Sequence, residues 1–105
     1  MAILIKTIEF ENEKHDVYKS NYSSRPGRIK LQLFDEEGFP SLTATKDLPK
    51  YIDTENKIKK DETFIKNYSE NNGILKALVD NGIVEDLDIS INSGFETLNL
   101  VKVLI

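Results

Sequence analysis

The residues of this chain that can do chemistry are few and scattered. The one histidine, His15, adjoins Asp16, and an imidazole beside a carboxylate can act as a general base. A serine–histidine triad would have to use it, because the chain holds no second imidazole. Neither a GxSxG nor an HExxH pattern accompanies it. Its segment is polar and turn-prone, so an ordinary surface residue is expected. With no cysteine, the chain has no disulfide, no thiolate metal site and no thiol nucleophile. Asp35-Glu36-Glu37 offers hard oxygens to Mg²⁺ or Ca²⁺, but calcium loops place acids at alternating positions over about a dozen residues. Three adjacent acids read instead as a solvated hairpin tip. Arg25 and Arg28 flank Pro26-Gly27 and bring two guanidinium groups about a turn, an arrangement able to meet a phosphate. No glycine-rich phosphate loop supports that reading, and the simpler one is a turn with solubilising charge. The sequence thus predicts no catalytic residue, no cofactor and no metal.

Charge is more informative. The net charge is -4 with a pI near 5.0, which argues against a sequence-independent grip on phosphate backbones. Lys57, Lys59 and Lys60 are offset by Glu55, Asp61 and Glu62, leaving no basic footprint. Residues 70–105 carry six acids against Lys76 and Lys102, so the acidic excess sits in the last third. Within it Asp80, Glu85, Asp86 and Asp88 surround a helix end and the following strand, with Asp86 and Asp88 expected on one strand face. This cluster is the candidate partner-binding surface, suited to an Arg/Lys-rich groove on another protein. The competing reading is a solvated strand face that protects a sheet edge from aggregation.

The elements that must hold these groups are mostly strands. Residues 2–10 are rich in β-branched and aromatic side chains, 11–14 form a polar turn, and 15–22 return. Residues 23–27, with Pro26-Gly27, break the chain. Ile29, Leu31 and Leu33 alternate with Arg28, Lys30 and Gln32, predicting a strand over 28–34 that a hairpin loop at 35–38 joins to 39–45. Residues 46–62 lose the pattern and read as a surface loop of about seventeen residues with one turn near Tyr51-Ile52, long enough to be functional or mobile. A short strand follows at 63–66. Ser69 is the expected N-cap of a helix over about 69–81, with Ile74, Leu75, Leu78 and Val79 on one side and Asn81-Gly82 as its stop. Residues 85–91 alternate, Asn92-Ser93-Gly94 turns, and 95–105 is apolar at both parities, as a central strand would be.

These signals favour an α+β domain of five to seven mostly antiparallel strands with one main helix packed on the sheet. At 105 residues the chain has material for one core, so residues 1–105 are expected to form a single domain. The apolar run at residues 2–5 ends at Lys6, too short for a signal peptide or a span. The expected location is the bacterial cytoplasm, with no membrane partner.

The hairpin at 27–40, then Leu42-Thr43-Ala44-Thr45 and Leu48-Pro49, resembles a small domain family of unassigned function carried by phages and integrative elements of Gram-positive bacteria. Residues 64–74, 78–84 and Ser93-Gly94-Phe95 match further blocks of the same family, while the first 25 residues match loosely. The resemblance implies residence on mobile DNA rather than a reaction. Small acidic proteins of such elements are often inhibitors of host defence, including anti-CRISPR proteins that bind a Cas nuclease, and that is the expected function, with a Cas9-type nuclease as partner. The alternative is a regulatory or accessory protein-binding module of the element. A metal-dependent hydrolase using Asp35 and Glu37 ranks last.

Overall fold

The structure, a computed structural model, describes residues 2–23 and 25–105, the side chains of 25 and 26 excepted. The chain is α+β with the order β1 (Ile3–Phe10), β2 (Glu13–Tyr22), β3 (Arg25–Phe34), β4 (Pro40–Thr43), α1 (Lys50–Asn56), β5 (Glu62–Lys66), α2 (Ile74–Asp80), β6 (Val84–Ser93) and β7 (Glu96–Val103). All pairings are antiparallel, in sheets ordered β1-β2-β3-β4 and β5-β7-β6. Residues 44–46 stitch the sheets together. Ala44 N–H donates to Leu31 O at 2.9 Å on one side, while Lys66 N–H donates to Ala44 O at 2.9 Å and Lys46 N–H to Phe64 O at 3.2 Å on the other. Hydrogen bonding therefore passes from one sheet to the other through this segment, with Thr45 bridging to Ile65. Among the described residues no helix is long and apolar enough to cross a membrane.

Period-two alternation decides what each face does. On β3, Ile29, Leu31 and Leu33 point inward to the main core with Val17, Ile65, Val101 and Val103. On β7, Val101 and Val103 face that core while Leu98 and Leu100 face a second cluster with Leu48 and Phe64. The doubly apolar strand is indeed central, because both sides of it are buried. The expected turn at 11–14 is tighter than predicted: Glu11 and Asn12, at φ 53° and 65°, make a two-residue left-handed turn whose twist suits antiparallel strands. The expected breaker at 23–27 includes Ser24, outside the described residues, and β3 already begins at Arg25 after an irregularity between Asn21 and Tyr22.

Two expectations about helices need correction. The segment 46–62 is not a loop with one turn, since α1 starts directly after Pro49 and ends where Lys57 turns left-handed at φ 54°. It was hidden because it buries almost nothing, Ile52 being its half-buried contact with the second cluster. Polar bonds hold it instead. Arg28, only 7% exposed, forms an ion pair with Asp53 and donates from Nη1 to Glu62 O at 2.9 Å, which ties α1 to β3 and β5.

The helix expected over 69–81 is a 3-10 turn at Ser69–Asn71 followed by α2. Ser69 is not its N-cap. The first amides of α2 are served by Asn67, whose Oδ1 accepts from Gly73 N–H at 3.1 Å and Leu75 N–H at 3.0 Å. Gly82, at φ 71°, stops the helix as expected, with Ile83 N–H closing back on Leu78 O at 3.0 Å. Ile74 and Leu78 are buried, but Val79 points outward. The helix lies against β1 and β6, where Lys6 Nζ donates to Asn81 O at 2.7 Å, and so fills the gap between the two edge strands.

Candidate functional site

Lys66 pairs with Leu98, so the chain leaving β5 runs beside the start of β7 and the β6–β7 turn. Residues 67–71 and 95–99 thereby form the two walls of a groove. It consists of two adjoining hollows, about 490 Å³ between Asn67, Tyr68, Ser69 and the 95–99 wall, and about 330 Å³ toward Lys46, Lys66 and Asn71. Tyr68, Ser69 and Glu96 line both.

A charged network fixes its floor. Lys46 Nζ meets Glu96 Oε2 at 2.5 Å, and Tyr68 lines both hollows beside the same carboxylate. Glu96 is held below the usual carboxylate range, first by Lys46 and then by Tyr68. The Tyr68 phenol is pushed up to about 12, first by desolvation and then by Glu96. It stays a neutral donor at any physiological pH. Its ring also packs on the second cluster, which locks the hydroxyl in place.

The rim is equally constrained. Ser69 sits at φ 55°, a left-handed conformation that L-residues other than Asn and Asp seldom adopt. Asn71, 2% exposed, donates from Nδ2 to Thr43 O at 2.7 Å and pins the turn to β4. Next to this rigid polar wall, Phe95 projects from the tip of the β6–β7 hairpin, completely exposed. Backbone strain, a perturbed acid–phenol pair and an uncovered aromatic ring coincide here.

The residues singled out in the sequence lie elsewhere. Asp80 ends α2 and pairs with Lys76 at 2.5 Å. Glu85 is exposed and faces Lys102 across the β6–β7 ladder. Between Asp86 and Ile89 the ladder bulges, Asp88 turns left-handed at φ 57°, and Asp86 Oδ1 accepts from Asp88 N–H at 3.0 Å. The alternation that would put Asp86 and Asp88 on one face is thus interrupted, and Asp86 closes the bulge. Among the described residues no group of acids and imidazoles is placed to hold a metal.

His15 is not the surface residue expected. It is 5% exposed, packed 6.1 Å from the Phe10 ring, with Nδ1 2.8 Å from Ser41 Oγ. Its parity with Val17 was the available signal, outweighed by the polarity of its neighbours. Asp35 is structural, its Oδ1 accepting from Glu37 and Phe39 N–H at 3.0 Å each. Arg28 is committed to Asp53 and Glu62 rather than presented to a phosphate, and the Arg25 side chain lies outside the described residues. The groove itself was missed because its polar residues come from two distant segments that only the β5–β7 pairing brings together. No family model matches this chain, and no curated protein or solved structure matches it significantly.

Proposed function

We propose that this protein acts by binding another protein in the groove between residues 67–71 and 95–99, with Phe95 as the apolar anchor. The observation that carries the reading is Phe95 itself, a full aromatic surface left in water beside walls already fixed by hydrogen bonds. Burying such a ring against a partner is favourable, and the surrounding polar groups lose little freedom because they are ordered beforehand. The modest net charge of -4 suits a mixed-charge protein interface better than imitation of nucleic acid.

The resemblance to domains of phages and integrative elements supports a host-defence component as the partner, and an inhibitor of a Cas9-type nuclease is the form of this function to test first. Cells carrying the nuclease and a targeted plasmid should keep the plasmid when the wild-type chain is expressed, and lose it with Phe95→Ala. Truncating an interface hot spot costs about 2 kcal/mol or more, some thirtyfold in affinity, so the same variant should fail to capture the purified nuclease. Equal capture by the wild type and Phe95→Ala would remove the groove. No capture and no protection by the wild type would remove the nuclease.

A further inference from the structure

On the outer face of the β1-β2-β3-β4 sheet α1 comes in at the Arg28 end, through the ion pair with Asp53, and α2 lies along β1 and β6, so the Tyr18–Phe34 end lies away from both contacts. Burial alternates there: His15 and Val17 go in while Asp16 and Tyr18 are half-buried on the other side, and Leu31 and Leu33 go in while Gln32 and Phe34 are half-buried. Tyr18 and Phe34 meet edge to face at 5.1 Å. Leu4 lies opposite Tyr18 and Pro40 opposite Phe34, so an apolar stripe crosses all four strands, with Leu4 50% and the neighbouring Phe39 63% exposed.

One end of that stripe is strongly acidic. The β1–β2 and β3–β4 tips enclose a hollow of about 420 Å³ lined by Glu9, Glu13, Asp35, Glu36 and Glu37, with Lys14 as the one cation among the described residues that line it. Phe34 and Phe39 bracket the loop that supplies three of those acids, so the hollow follows directly along the chain from the Phe34 end of the stripe.

We propose that this face docks a short Lys/Arg-rich segment of a partner protein that carries an apolar side chain. The apolar group covers Leu4, Tyr18 and Phe34, while the cations enter the hollow, where the fields of the lining carboxylates add. Guanidinium groups suit both halves, because they pair with carboxylates and stack on aromatic rings. An acidic peptide or a phosphate backbone meets repulsion at the same place.

The test uses a short fluorescent peptide alternating Arg and Leu, and its twin with Glu for Arg, titrated against the full chain. The Arg peptide should bind and weaken with added salt, and the Glu peptide should not bind. Glu36→Lys/Glu37→Lys, both on an exposed loop, should lower affinity by about tenfold or more with an unchanged circular dichroism spectrum. Phe95→Ala should leave it unchanged, which separates this face from the groove. Equal binding of both peptides, unchanged affinity in the double variant, or amide shifts confined to residues 67–71 and 95–99 would overturn the proposal.

Discussion

At Ser69 the backbone holds a left-handed conformation that costs a residue with a Cβ roughly 1–2 kcal/mol. Replacing Ser69 with glycine should leave stability unchanged or raise it by up to about 1 kcal/mol, the relief being partly offset by a more flexible unfolded chain. Ser69→Val should lose about 1–2 kcal/mol, because a β-branched side chain tolerates this region least. Urea unfolding of both variants measures the difference, and a valine variant as stable as wild type would show that the turn carries no strain. Asn71 makes a separate contribution. Its nearly buried amide satisfies Thr43 O, so Asn71→Leu should cost about 1–3 kcal/mol and loosen the rim of the groove.

Among the elements, α1 rests more on polar contacts than on an apolar face. With Arg28 nearly buried, Asp53→Ala should cost about 3 kcal/mol, at the low end for breaking a buried pair because Arg28 keeps its bond to Glu62 O. Replacing both partners, as Arg28→Met/Asp53→Leu, should recover most of the loss, since neither charge is then desolvated. A double variant less stable than Asp53→Ala alone would mean that the ion pair contributes net stability of its own. The same helix explains what the sequence revealed and what it hid. Strands were legible because Ile29, Leu31 and Leu33 on β3, or Leu98 and Val101 on β7, declare their faces by alternation. α1 was not, because Asp53, Thr54, Glu55 and Asn56 carry no helical apolar period and Arg28, its anchor, lies 25 residues earlier. α2 was placed correctly in the chain but begun too early, because Ser69 has the composition of a cap while Asn67 does the capping. The acidic cluster was visible as composition. The groove was not, for its walls depend on the register of β5 against β7.

For the molecule as a whole, the contacts that join its halves also set its response to pH. Lys46 comes from the segment that stitches the two sheets, Tyr68 from the chain after β5, and Glu96 from the first residue of β7, so their network spans the junction. Glu96 titrates lower in the folded protein than the 4.5 of an unperturbed glutamate, chiefly because of Lys46. The stabilisation it contributes is therefore complete above that value and is lost as the pH falls through its folded pKa. Tyr68 has the opposite sense. Its folded pKa of about 12 lies above the ordinary 10.0, so its contribution is complete below about pH 10 and is lost as the pH rises toward 12. Glu96→Gln separates the two limbs. It removes the carboxylate that Lys46 and Tyr68 share, so the stability gap to wild type should be constant from about pH 6 to 8 and close as the solution becomes more acidic than an ordinary glutamate. The Tyr68 phenol should move down in this variant, yet remain above 10.0 because desolvation, the larger cause, persists, while the Tyr22 phenol, raised by its own burial, stays in place. Near-ultraviolet absorbance follows the Tyr68 phenol, and Tyr68→Phe identifies it among the four tyrosines. A gap that widens in acid would place the stabilising charge elsewhere, and a phenol that does not move would mean that Glu96 and Tyr68 act independently.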